Sequence, residues 1–78
     1  MTKIEILGTG CAKCKRLYAN AEQAVKDLKI TAEVIKVEDL DEIVNRGVML
    51  TPALFINGEL VAEGRVPCVE EIVAMLKE

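Results

Sequence analysis

A helical run of apolar residues caught between two short strand patterns limits the folds open to this chain. Cys14, Leu17, Ala21, Ala24, Val25 and Leu28 recur in steps of three and four, which is one face of a helix. Before them, residues 3–7 are β-branched and apolar and close on Gly8-Thr9-Gly10, a strand followed by a break. Helix-forming residues continue to Ile30, and residues 31–37 then read as a second strand. Two short strands joined by a helix of this length form a βαβ unit, so the strands are expected parallel, with a right-handed crossover.

The rest of the chain extends that unit. Asp39, followed three residues later by Glu42, resembles an acidic capping box. Leu40, Ile43 and Val44 follow at helical spacing, and Gly47 stands where a helix-ending glycine belongs. Residues 53–56 and 60–62 are strand-like and are joined by Asn57-Gly58, a strong hairpin signal. Gly64 breaks the last strand, and Val69, Ile72, Val73, Met75 and Leu76 define a closing helix. The expected order is β-α-β-α-β-β-α, an α/β fold with a four-stranded mixed sheet covered by helices on both faces. With 78 residues the chain has room for one domain, 1–78, which buries about 60–65% of the surface its unfolded form exposes.

Composition narrows the function. Hydrophobic residues make up 51%, but the aromatics are only Tyr18 and Phe55, so the core is aliphatic and no platform exists for stacking bases. A net charge of −3 argues against binding a phosphate backbone, and no nucleic-acid partner is expected. Glu5 interrupts the region where a secretory signal would begin its apolar core. The longest apolar stretch, 48–56, is broken by Thr51 and Pro52 and falls short of the roughly 18 residues of a membrane span. A monomeric, cytoplasmic protein without membrane contact is expected.

Three cysteines fit poorly with a secreted disulfide scaffold. Two of them stand as Cys11-Ala12-Lys13-Cys14, directly after a strand and opening a helix. In a reducing compartment that spacing points to redox chemistry or metal binding. Only a thiolate attacks a disulfide, and Cys11 sits at the expected helix N-terminus among backbone N–H groups without intrahelical partners. These donors, the helix dipole, and the nearby Lys13, Lys15 and Arg16 all favour a negative sulfur. Cys14 falls one turn later on the apolar face, shielded. The asymmetry assigns Cys11 as nucleophile and Cys14 as resolving thiol. The plainer alternative is that both are small buried residues, since free cysteine packs as a hydrophobe.

Cys11-Ala12-Lys13-Cys14 after a strand, Thr51-Pro52 before a hairpin, and the order of elements together resemble a thioredoxin or glutaredoxin core. The chain is more similar still to the small stand-alone thioredoxin-like proteins called redox-active disulfide proteins, in the opening Gly8-Thr9-Gly10-Cys11-Ala12-Lys13-Cys14 and over nearly its whole length. The resemblance implies a thiol–disulfide oxidoreductase whose cysteine pair cycles between dithiol and disulfide without cofactor or metal. Its partners would be an upstream disulfide reductase and protein or small-thiol disulfides. It maps a cis proline onto Pro52, which would bring the Thr51 backbone alongside Cys11 to pair with a partner's extended segment. Val48, Met49 and Leu50 would add an apolar docking rim. Glu5, six residues before Cys11, matches the buried carboxylate that accepts a proton from the resolving thiol in thioredoxins, although an exposed acid on a strand end reads equally well. The chain departs from thioredoxins in having Gly10 where they carry Trp, and Ala12-Lys13 where they carry Gly-Pro.

The same opening also resembles heavy-metal-associated domains that carry copper(I), for which two soft thiolates are suited. Those domains usually have Met where Thr9 stands and end with a strand, and they lack Thr51-Pro52. A zinc site wants four ligands, and this chain has three cysteines and no histidine. A pure interaction module is the third alternative. Cys68, three residues before Glu71, occupies the place of a capping serine, and a passive role is expected for it.

Overall fold

The computed structural model describes residues 2–10 and 12–77. The elements follow as β1 (Thr2–Leu7), α1 (Ala12–Leu28), β2 (Ala32–Val37), α2 (Leu40–Asn45), β3 (Ala53–Ile56), β4 (Glu59–Glu63) and α3 (Val69–Lys77). One four-stranded sheet is ordered β2-β1-β3-β4. β1 runs parallel to β2 and antiparallel to β3, and β3 runs antiparallel to β4. The mixed sheet with helices on both faces is the architecture the periodicities predict.

Strand alternation divides the core. Ile4 and Ile6 point to the side where Leu17, Ala21 and Ala24 of α1 and Ile72 of α3 complete an aliphatic cluster. Leu7 points the other way and packs with Ile43 of α2, Val48, Ala53 and Phe55. Burying a side chain such as Leu17 or Ile72 completely is worth about 1.5–3 kcal/mol, so the α1/α3 layer carries much of the stability.

The hairpin uses Asn57 and Gly58 with φ of 54° and 83°, the left-handed pair that a two-residue turn needs. Asn57 also ties the hairpin to β1: Lys3 N donates to its Oδ1 at 2.9 Å, and its own N donates to Lys3 O at 2.7 Å. α1 ends two residues before the expected Ile30. Lys29 adopts φ of 52°, and Ile30 N donates back to Val25 O, closing the helix as a glycine usually would. At the start of α2, the Asp39 carboxylate accepts from Asp41 N at 2.9 Å. Glu42 completes no reciprocal box; its carboxylate goes instead to Arg46 Nε at 3.1 Å.

Arg46 is the hub of the α2 face. Its Nη1 and Nη2 donate to Glu5 Oε1 and Oε2 at 3.2 and 2.6 Å, a two-pronged bond between the middle of β1 and the end of α2. The guanidinium also lies 5.4 Å from the Phe55 ring centroid. Glu5 is buried, and the Arg46 hydrogen bond holds its carboxyl below the usual carboxylate range, with burial opposing. A depressed folded-state value means the pair stabilises the fold at neutral pH and that this contribution is lost as pH falls through the acidic range. Arg46→Met strands a buried carboxylate and is expected to cost about 3 kcal/mol in denaturant unfolding at pH 7. That deficit shrinks towards pH 3, and adding Glu5→Gln restores most of it.

Candidate active site

The end of the sheet where β1 and β2 finish is also where β3 begins. The register pairs Leu7 with Ala53, which sets Gly8 and Pro52, the next residues outward, side by side. A Cβ built on Gly8 would stand 3.8 Å from Pro52 Cα and would collide with Cys14 Sγ. Gly8 is therefore a glycine because a sulfur occupies the space of its side chain. Cys14 is buried on the first turn of α1, under that glycine, as its place on the apolar face predicts. Cys11, the expected nucleophile, lies outside the described residues. Lys13 is exposed on the first turn of α1.

Thr51 is exposed, and Pro52 is fully buried behind a cis Thr51–Pro52 peptide bond. The loop that presents them is pinned to the end of β4. Glu63 Oε2 accepts from Met49 N at 2.7 Å and from Leu50 N at 3.2 Å, and Gly64 N donates to Pro52 O at 2.9 Å. Gly64, with φ of 72°, has Leu50 Cβ only 3.0 Å from where its own Cβ would be. The expected apolar rim is thus corrected at one residue. Val48 is buried against Leu7 and Ile43, whereas Met49 and Leu50 are 89% and 63% exposed. Their backbone amides are satisfied by one carboxylate while their side chains are left in water.

Glu5 is not an exposed acid, nor does it face Cys14. It pairs across the sheet with Phe55 and meets Arg46 on the α2 face, while Ile6 and Gly8 face α1 and Cys14. Its carboxylate is engaged by the Arg46 guanidinium. Arg46 is 41 positions away, and no local pattern joins the two.

Beside Cys14, on the β2 side, a small pocket of about 90 Å³ opens to solvent. Ile6, Gly8, Gly10, Cys14, Lys15, Lys36 and Glu38 line it. The two glycines after β1 are the only sequence signal for it, because side chains there would fill the space. Cys68 is remote from these groups in role: its carbonyl accepts from Ile72 N at 3.1 Å, opening α3, and its Sγ donates to Glu71 Oε1 at 3.8 Å. Among the described residues no cluster of three or more His, Cys, Asp or Glu could hold a metal ion, and no helix is long and apolar enough to cross a membrane.

Comparison with known proteins agrees with this geometry. Residues 2–77 match the family described as "Thioredoxin domain". The chain is 47% identical over 76 residues to a thioredoxin of Methanothermobacter thermautotrophicus, covering 97% of this chain and 99% of that one. It is 46% identical over 77 residues to a thioredoxin of Methanocaldococcus jannaschii, covering 99% and 88%. Among solved structures, thioredoxin-2, described as a component of malaria parasite protein secretion machinery, superposes with a TM-score of 0.74 at 16% identity, over 99% of this chain and 82% of that one. The copper(I)-carrier alternative finds no support in these relatives. The chain belongs to the thioredoxin family and is a thiol–disulfide oxidoreductase.

Proposed function

We propose that exchange runs through Cys11 and Cys14, with Cys11 attacking and Cys14 resolving. The observation that carries this reading is the seat of Cys14 Sγ, buried against Gly8 and beside Pro52. A sulfur so placed is shielded from external disulfides yet stands one helical turn from position 11. Cys11 directly precedes α1, where unpaired backbone N–H groups and the helix dipole favour a thiolate. Lys13 on that first turn adds positive charge.

In the forward step the Cys11 thiolate bonds one sulfur of the substrate disulfide, and the other sulfur leaves as a thiolate that takes up a proton. Cys14 then gives up its proton and attacks the Cys11 sulfur, releasing the second thiol and leaving the Cys11–Cys14 disulfide. An upstream disulfide reductase restores the dithiol. Protein or small-thiol disulfides are the substrates, and the reducing cytoplasm is the compartment that suits the cycle.

Thr51, an exposed residue, offers its backbone to an extended substrate segment, and the Met49–Leu50 side chains offer it an apolar rim. For Glu5 we favour an anchoring role over a proton relay. Its ion pair with Arg46 ties β1, the strand that leads into the cysteines, to the helix that leads into the Thr51–Pro52 loop.

Cys11→Ser is expected to abolish exchange, while Cys14→Ser accumulates a mixed disulfide with substrate, resolved by non-reducing electrophoresis and mass measurement. Mixed-disulfide trapping by Cys11→Ser in place of Cys14→Ser would reverse the roles. Gly8→Ala should slow resolution at least tenfold in quenched-flow assays, because a methyl group would displace Cys14 Sγ from its seat; an unchanged resolution rate would show that this seat does not matter.

A further inference from the structure

The edge strand β4 does not alternate regularly, and the break decides where Glu63 points. Glu59 pairs with Ile56 and Leu60 with Phe55, but Ala62 then pairs with Leu54 and Glu63 with Ala53, so Val61 is an extra residue. Paired residues share a face of the sheet. Leu54 and Ala62 belong to the α1 side, whereas Ala53 and Phe55 belong to the α2 side. Unbroken alternation from Leu60 would send Glu63 to the α1 side. The bulge turns it to the α2 side, where buried Val48 leads into the Met49–Pro52 loop.

From that position Glu63 and its neighbour shape the loop. Glu63 Oε2 accepts from Met49 N at 2.7 Å and Leu50 N at 3.2 Å, Leu50 packs over Gly64, and Gly64 N donates to Pro52 O at 2.9 Å. Neither helix nor strand runs between Asn45 and Ala53, and the Met49 and Leu50 side chains are exposed, so burial does not hold them. Bonds from a carboxylate are stronger than those between neutral groups, which suits one side chain to hold such a loop. Engaging the amides of Met49 and Leu50 also withholds them from an incoming chain and leaves Thr51, the next residue, as the docking position.

We propose that Glu63 is a positioning residue for exchange with protein disulfides, holding the Met49–Thr51 backbone in the shape that receives an extended substrate segment. It acts through the loop amides and not on the sulfurs. The inference rests on the Thr51 docking reading above and adds the side chain that fixes the docking loop. Its effect is confined to substrates long enough to use that loop. A single oxygen serves both amides, so the carbonyl of a glutamine can take its place. An alanine leaves both amides to water.

The test follows thiol oxidation of the reduced full-length chain by insulin, a protein disulfide, and by hydroxyethyl disulfide, which is too small to reach along the loop. Glu63→Ala should raise the half-saturating insulin concentration about tenfold, with the maximal rate within about twofold of wild type. Glu63→Gln should bring it back to within about threefold, since a neutral acceptor restores the bonds without the charge. Oxidation by hydroxyethyl disulfide should be the same in all three proteins, which shows each one folded with its thiols unaltered. Amide exchange at Met49 and Leu50 should quicken in the alanine variant alone. Unchanged half-saturation in Glu63→Ala, equal loss with both disulfides, or a glutamine variant as impaired as the alanine each overturns the positioning role and leaves the exchange reading standing. Oxidation of the wild type by hydroxyethyl disulfide but not by insulin overturns the docking reading and this inference with it. Failure of both to oxidise the wild type overturns exchange itself.

Discussion

Everything at the working end of this protein depends on how closely two backbones and one sulfur approach each other there. β1 ends in a residue without a side chain, α1 drops Cys14 into the vacant volume, and the antiparallel register with β3 brings Pro52 to the same spot. No single element could produce this. The parallel crossover sends α1 back over the sheet from the end of β1, and β3 must enter from that same end for the proline to meet the sulfur. A chain with the same cysteine spacing but a different third strand would have a helix with two thiols and nothing facing them.

The two faces of the sheet divide the labour. On the α1 side lie the Cys14 sulfur, the aliphatic core and the small pocket beside it. On the α2 side, Arg46 gathers Glu5, Glu42 and the Phe55 ring. α2 has only six residues, too few to be stable by helix propensity. Ile43 in the second cluster and Arg46 at the helix end fasten it to the sheet. The segment that follows α2 carries Met49 to Pro52, so this fastening fixes where that loop starts. The Glu63 carboxylate and Gly64 N–H fix where it ends. An exposed loop held at both ends keeps its shape without a core of its own.

Much of the fold was legible because it rests on local periodicity and turn chemistry. The α1 stripe, the Asn57-Gly58 turn and Gly47 past the end of α2 each carry their reason within a few residues. The departures have long-range or atypical causes. α1 ends at Lys29 in a left-handed conformation usually left to glycine, so composition gave no stop signal. Glu42 turned from its capping position to Arg46, since a guanidinium one turn later is the stronger partner. Val48 is buried although 48–50 is a continuous apolar run with no alternation to separate inside from outside. At the site, the Cys14 seat followed from helical phase and the Thr51–Pro52 loop from family resemblance. The Glu5–Arg46 bond and the Lys15, Lys36 and Glu38 pocket join elements far apart in sequence, and only the folded chain brings them together.

The central claim is that the sulfur beneath Gly8 and the cysteine just before α1 form one two-electron couple. Equilibrating the protein across a graded series of dithiothreitol redox buffers, alkylating the remaining thiols and mapping the labelled peptides by mass spectrometry measures this directly. The account predicts that Cys11 and Cys14 lose label together along a single two-electron curve while Cys68 stays labelled throughout. Separate curves for Cys11 and Cys14, or a disulfide that enlists Cys68 in place of either, would contradict it.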